Sequence, residues 1–271
     1  MGLRINTNIS ALNASRVLRR STLDLNKTLE QLSSGLRINR AADDAAGLAI
    51  AEGFRSQSTG ASVAQRNVQD GVSLVQTAEG ALSETTNILQ RIRELAVQSA
   101  NGTQSEDNRK AIQAEVDQLV SQIDKIATDT SFNDIKVLTG LQSVVIQAGY
   151  LQGQTLTIAI SGATATILSV NSLAVSSQAL AAAAITTVDN ALKTVNTLRA
   201  TLGAYQNRME FTMNTLAIQQ ENASSAESAI RDADIAQVTI RFTRNQILVN
   251  AGTSVLAQAN VVPQTALQLL R

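Results

Sequence analysis

The chain has 271 residues, 44% apolar and only 2% aromatic, with 22 basic residues balancing 22 acidic ones and a single proline, Pro263. Such a composition builds an aliphatic core and leaves long stretches where nothing interrupts a helix. With no histidine and no cysteine, Ser-His-Asp and Cys-His catalysis, ordinary zinc sites and disulfides are excluded, which leaves only carboxylate, Lys, Tyr or Arg chemistry; an enzyme built on carboxylates is the least favoured reading, and no cofactor or metal site is expected.

The charge is uneven: +5 over residues 1–40, +3 over residues 236–271, and therefore −8 between them. The basic ends are diluted by Asn, Gln, Ser and Leu with almost no aromatic side chains to stack on bases, so no nucleic-acid partner is expected. Arg4, Asn6, Asn8, Asn13, Arg16, Arg19 and Arg20 interrupt the beginning of the chain, which rules out an apolar signal core. No run of 18 apolar residues occurs, so no membrane insertion is expected either.

In chain order, Ile5, Ile9 and Leu12, then Leu18, Leu25, Leu29, Leu32 and Leu36, predict a first helix ending near Ser34 and Gly35. Val68, Val72, Val75, Ala78, Leu82, Leu89, Ile92 and Ala96 predict a second, from about Leu48 to Ala100, roughly 80 Å long at 1.5 Å per residue. Asn101, Gly102 and Thr103 then make a turn before the capping Ser105. A third helix, to about Thr128, folds back antiparallel with Ile112, Val116, Leu119, Ile123 and Ile126 on one stripe.

No charged residue occurs from 137 to 188. There Leu156, Ile158 and Ile160 alternate with Thr157 and Ala159 between Gly153 and Gly162, which predicts a hairpin in a small β region at about 139–176. The Ala-rich run from Gln178 to Ile185 leads into a long helix carrying Val195, Leu198, Leu202, Tyr205, Met209 and Leu216. Leu248, Gly252, Val255, Ala259 and Val262 mark a last stripe. The two terminal stripes have no local partner and can pair with each other. The fold class is mainly α: a long antiparallel helical bundle or coiled-coil rod with a small β-hairpin region, plus paired N- and C-terminal helices. Residues 1–43 with 236–271 form one domain and 44–235 the other.

Asp43 with Asp44, and Asp232 with Asp234, are the tight carboxylate pairs; beside Arg40 and Arg231 they read as solvated salt bridges rather than catalytic dyads. Leu95 lies off the Leu89, Ile92, Ala96 seam and so reads as an exposed apolar residue, with Arg91 a turn before it.

The segments RINTNISALNA (4–14), LSSGLRINRAADDAAGLAI (32–50), LQRIRELAVQSANGT (89–103), FNDIKVL (132–138), RDADIA (231–236) and VLAQAN (255–260), with the closing LQLLR, resemble bacterial flagellin in the same order. The resemblance implies a subunit that self-assembles into the extracellular flagellar filament for swimming, after export in unfolded form by the flagellar type III apparatus. It implies an inner core domain from the two termini and an outer core domain from the middle, here without the large variable outer domains. Val261 and Val262 stand where the family commonly has a polar pair.

The implied partners are other flagellin subunits, the filament cap and hook-associated proteins, a flagellin export chaperone, and in hosts the Toll-like receptor for flagellin. Arg91, Leu95 and Glu115 match the surface that meets this receptor and packs between protofilaments. Leu25, Leu29, Leu32, Leu248, Val255, Leu256 and Ala259 belong to the terminal stripes for polymerisation and chaperone binding. A hook-filament junction protein of the flagellin-like family is the alternative, and a peripheral membrane protein a more distant one.

Overall fold

In the computed structural model, residues 7–269 are described, with the side chains of 7–261. Aliphatic residues at steps of three and four produce five helices. These are α1 (Ile9–Ser34), α2 (Ala45–Ala100), α3 (Glu106–Asp129), α4 (Gln178–Arg231) and α5 (Ile235–Leu269). Four short strands lie between α3 and α4: β1 (Ser131–Phe132), β2 (Ile135–Lys136), β3 (Gln142–Gln147) and β4 (Thr155–Ile160). The chain divides into one unit ending at Gln57 and resuming at Glu221, and a second from Ser58 to Gln220.

In the second unit every α2 residue of the expected seam, from Val68 to Ala96, is buried. Ile112, Val116 and Ile123 of α3, and Val195, Leu202, Met209 and Leu216 of α4, complete the same core, with Leu119, Leu198 and Tyr205 packed at its margin. The Asn101–Thr103 turn joins α2 to α3. Ser105 caps α3 by accepting from the Asn108 amide at 3.2 Å, and Glu106 and Asp107 in the first turn suit the positive end of the helix. Arg109 reaches back to donate to the Asn101 carbonyl at 3.0 Å.

Strands β3 and β4 pair antiparallel with Val144 opposite Ile158 and Ile146 opposite Leu156. Leu156, Ile158 and Ile160 point into the core while Thr157 and Ala159 face out, as their alternation required. Gly71 of α2 lets the hairpin approach closely, since a Cβ there would stand 2.2 Å from Ile146 Cδ1 and 3.0 Å from Met209 Sδ. The β1–β2 hairpin (131–136) precedes the β region expected at about 139–176. Its two-residue strands are too short to show alternation. The signal that survives is Asn133-Asp134, both at positive φ (46° and 62°), the geometry of a type I′ turn.

After β4, residues 161–177 cross the helices without forming a strand or helix. This strap is held by side chains acting as backbone partners. Asp124 accepts from the Ala165 amide at 2.7 Å, Ser99 donates to the Val175 carbonyl at 2.5 Å, and Gln113 accepts from the Val175 amide at 2.6 Å while donating to the Leu173 carbonyl at 2.9 Å.

In the terminal unit, α1 and α5 run antiparallel: Asn8 donates to the Ala259 carbonyl at 2.7 Å, and Gly252 lies against Leu18. Gly35 ends α1 in the left-handed conformation (φ 71°), returning its N–H to the Gln31 carbonyl at 2.9 Å. The chain then runs beside residues 230–233. The Arg37 amide donates to the Arg231 carbonyl at 2.6 Å, the Ala233 amide donates to the Gly35 carbonyl at 2.9 Å, and Ile38 is buried. The LRIN and RDAD runs are thus two sides of one stitch.

Candidate assembly surfaces

Each terminal helix carries two faces, where periodicity predicts one stripe. On α1, the covered face is Leu18, Ser21, Leu25, Thr28 and Gln31. Two of its polar members are satisfied within the chain: Thr28 donates its hydroxyl to the Asp24 and Leu25 carbonyls, and Gln31 donates to the Arg37 carbonyl at 2.9 Å. Leu29 and Leu32, expected on one stripe with Leu25, lie on the exposed side with Ile9, Leu12, Val17 and Leu23. On α5, Val238, Phe242, Asn245, Val249, Gly252, Leu256 and Ala259 step by four, three, four, three, four and three and are buried or half-buried.

Leu248 and Val255, assigned to the same stripe as Gly252 and Ala259, instead face out with Ile240 and Ile247. Ile240 and Ile247 are 61% and 62% exposed, values that leave most of each side chain for another surface to cover. Ile5 lies outside the described residues, as does the side chain of Val262. Of the proposed terminal site residues, Leu25, Leu256 and Ala259 therefore help join α1 to α5, whereas Leu29, Leu32, Leu248 and Val255 form open apolar surface.

The second expected surface is corrected at one residue. Arg91 and Glu115 are exposed and joined across α2 and α3 at 2.9 Å, and Glu115, then Glu94, raises the affinity of the Arg91 guanidinium for its proton. Leu95 is 2% exposed and belongs to the core. The covered arc of α2 here spans Leu89, Ile92, Leu95, Ala96 and Ser99, wider than the seam alone, and Ser99, one turn beyond Leu95, is bonded to Val175 of the strap. Ser99, Gln113 and Asp124 are not legible from the sequence, because a serine, glutamine or aspartate that holds a distant backbone has no local spacing signature.

Of the four paired carboxylates, Asp43 makes a salt bridge as expected, though with Lys27 rather than Arg40, and the other three accept from amides or a hydroxyl. Asp234 accepts from the Ala236 and Gln237 amides at the start of α5, Asp44 accepts from the Gly47 amide at 2.9 Å, and Asp232 accepts from the Ser228 hydroxyl. Arg231 turns instead to Glu52 and Glu227. Asp43 takes Lys27 at 2.7 Å and the amides of Asn39 and Arg40 at 3.2 Å, and the Lys27 bond holds its carboxyl below the usual range.

A carboxyl with a depressed folded pKa stabilises the fold above its unfolded value, about 3.9, and loses that contribution as pH falls through the folded value. Asp43→Asn should therefore lower stability at pH 6 by at most about 1 kcal/mol, the pair being partly exposed. Thermal unfolding followed by circular dichroism should show the two proteins converging below about pH 4. A gap that persists unchanged at pH 3 would mean that ionisation of Asp43 is not its source.

Comparison with known proteins places these surfaces in context. Residues 5–143 match the bacterial flagellin N-terminal helical region, and residues 185–270 match the bacterial flagellin C-terminal helical region. The flagellar filament 31.3 kDa core protein of Treponema maltophilum is 45% identical over 284 aligned positions, covering 98% of this chain and 99% of that protein. The flagellin of Bacillus subtilis (strain 168) is 44% identical over 99% of this chain and 100% of its own length. Among solved structures, Bacillus cereus flagellin superposes with a TM-score of 0.52 at 33% identity, covering 56% of this chain and 88% of that one.

Proposed function

This chain belongs to the bacterial flagellin family, and on that premise we propose that subunits are held together through the outward apolar faces of α1 and α5. The protein is a structural subunit, not an enzyme, and self-polymerises into the flagellar filament, which lies outside the cell. Among the described residues no helix is long and apolar enough to cross a membrane.

The observation that carries the filament reading is identity of 44–45% with filament proteins along essentially the whole chain. The apolar outer faces supply its mechanism, because burying exposed Ile and Leu against a neighbour contributes about 1.5–3 kcal/mol per side chain. A hook-filament junction role is the lesser reading, since a relative matched from end to end is itself a filament core protein.

In this proposal the subunit leaves the cell unfolded through the flagellar type III apparatus, its α5 face held beforehand by an export chaperone with an apolar groove. Filament ends meet the cap and hook-associated proteins. Arg91 and Glu115, exposed and ion-paired, form the part of the unit 2 surface that protofilament neighbours and the host Toll-like receptor would touch. Leu95 acts from beneath, by fixing α2 against the strap.

Negative-stain microscopy of the purified, seeded protein tests the assignment. Long uniform filaments growing from the seeds are expected. Protein that binds seed ends without elongating them would favour the junction reading, and protein that stays dispersed would overturn both.

A further inference from the structure

Within the terminal unit, a cleft of about 550 Å3 opens between α1, residues 37–44 and the first turns of α5. Its walls carry Lys27, Arg37, Arg241 and Arg244 against Asp24, Asp43 and Asp44. Two of the three carboxylates are already engaged, Asp43 by Lys27 and two amides, and Asp44 by the Gly47 amide. Lys27 balances Asp43, which leaves three guanidinium groups against Asp24 and Asp44, a surplus of one positive charge.

Arg37 donates to the Ile230 carbonyl, and among the described residues Arg241 donates only to Gln237, at 3.3 Å. Arg244 has no hydrogen bond or ion pair among the described residues, and neither Arg241 nor Arg244 meets a carboxylate there. Arginines three residues apart on one helix repel unless something shares their charge. A planar guanidinium fork grips two oxygens of one anion, and two forks suit a tetrahedral oxyanion.

We propose that this cleft binds inorganic phosphate or sulfate between Arg37 on its N-terminal wall and Arg241 and Arg244 on α5, and that the bound ion fastens α5 to the segment that follows α1. The site draws on residues 24–44 and 241–245, so it exists only when both ends of the chain are in place. An ion that binds only this arrangement favours it by mass action. At ten times its Kd the ordered form gains about elevenfold. Phosphate and sulfate also strengthen burial non-specifically at high concentration, so the test is made at low millimolar levels.

The inference rests on the filament reading, and the closing experiment keeps the two apart by confirming filaments under the microscope before binding is measured. Full-length filaments in constant sodium chloride are sedimented with radiolabelled phosphate. Binding should saturate near one ion per subunit, yield to sulfate and resist added chloride. Arg241→Gln with Arg244→Gln should weaken it at least tenfold, and Arg19→Gln with Arg20→Gln, which removes two exposed α1 charges outside the cleft, should leave it unchanged. If the first pair prevents assembly, Arg244→Lys keeps the charge without the fork and should weaken binding several-fold. Absence of saturation in the unaltered protein, equal loss in both paired variants, or full binding with Arg244→Lys would each overturn the site.

Discussion

Leu95→Asp should destabilise the Ser58–Gln220 unit by about 3–5 kcal/mol, because it removes a buried aliphatic side chain and puts an unpaired carboxylate in its place. Val97, two residues on and 48% exposed, supplies the contrast: Val97→Asp should stay within about 0.5 kcal/mol. Denaturant unfolding monitored by helix signal reads both. The mechanism matters for interpreting the surface around Arg91 and Glu115. A Leu95 variant that fails to assemble or to activate a receptor will do so through a loosened α2–strap contact, which Arg91→Ala leaves intact. Equal stability of the Leu95 and Val97 variants would return Leu95 to the surface.

Filament growth should be lost, at least a hundredfold in rate, when Ile240→Asp and Ile247→Asp are combined, while unfolding of the Ser58–Gln220 unit stays unchanged. Both side chains point away from α1, so intrachain pairing keeps its Phe242, Val249 and Leu256 contacts. What disappears is the apolar area available to a neighbour, and each buried aspartate would add a desolvation cost. Because isolated helices are marginal in water and the α1–α5 seam is partly polar, the ends should be largely disordered in the free subunit and gain order on assembly. Deleting Ala236 to Arg271 should likewise abolish growth and leave the middle unit folded. Filaments of normal length from the double variant, seen by light scattering and microscopy, would refute this account of the contact.

Much of this architecture is legible in the residues. The seam from Val68 to Ala96 reads correctly because eight small aliphatic positions keep one spacing over many turns, and the Leu156–Ile160 strand reads correctly because its polar and apolar residues alternate. Leu95 does not. A two-helix template buries two positions per heptad, and the third wall is a strap with no periodic pattern, fastened by Ser99, Gln113 and Asp124 from far away in the chain. The terminal helices misread for another reason. Apolar spacing puts Leu25, Leu29 and Leu32 on one stripe, yet the covered face is Ser21, Leu25, Thr28 and Gln31, while Leu29 and Leu32 are exposed. A subunit built to be covered by copies of itself places apolar residues on both faces, and periodicity alone does not say which face is closed within one chain.

The stitch between residues 35–37 and 230–233 has a kinetic consequence. Its Arg37 to Ile230 hydrogen bond spans 193 positions, whereas everything needed by the Ser58–Gln220 unit lies in one continuous segment. Closing a loop costs more entropy as it lengthens, so the local segment should fold first and shorten the effective distance across which the stitch must form. Contact order thus sets a sequence of events: whichever end emerges first, the crossing waits for the last residues to arrive, and until then the chain remains threadable at both ends.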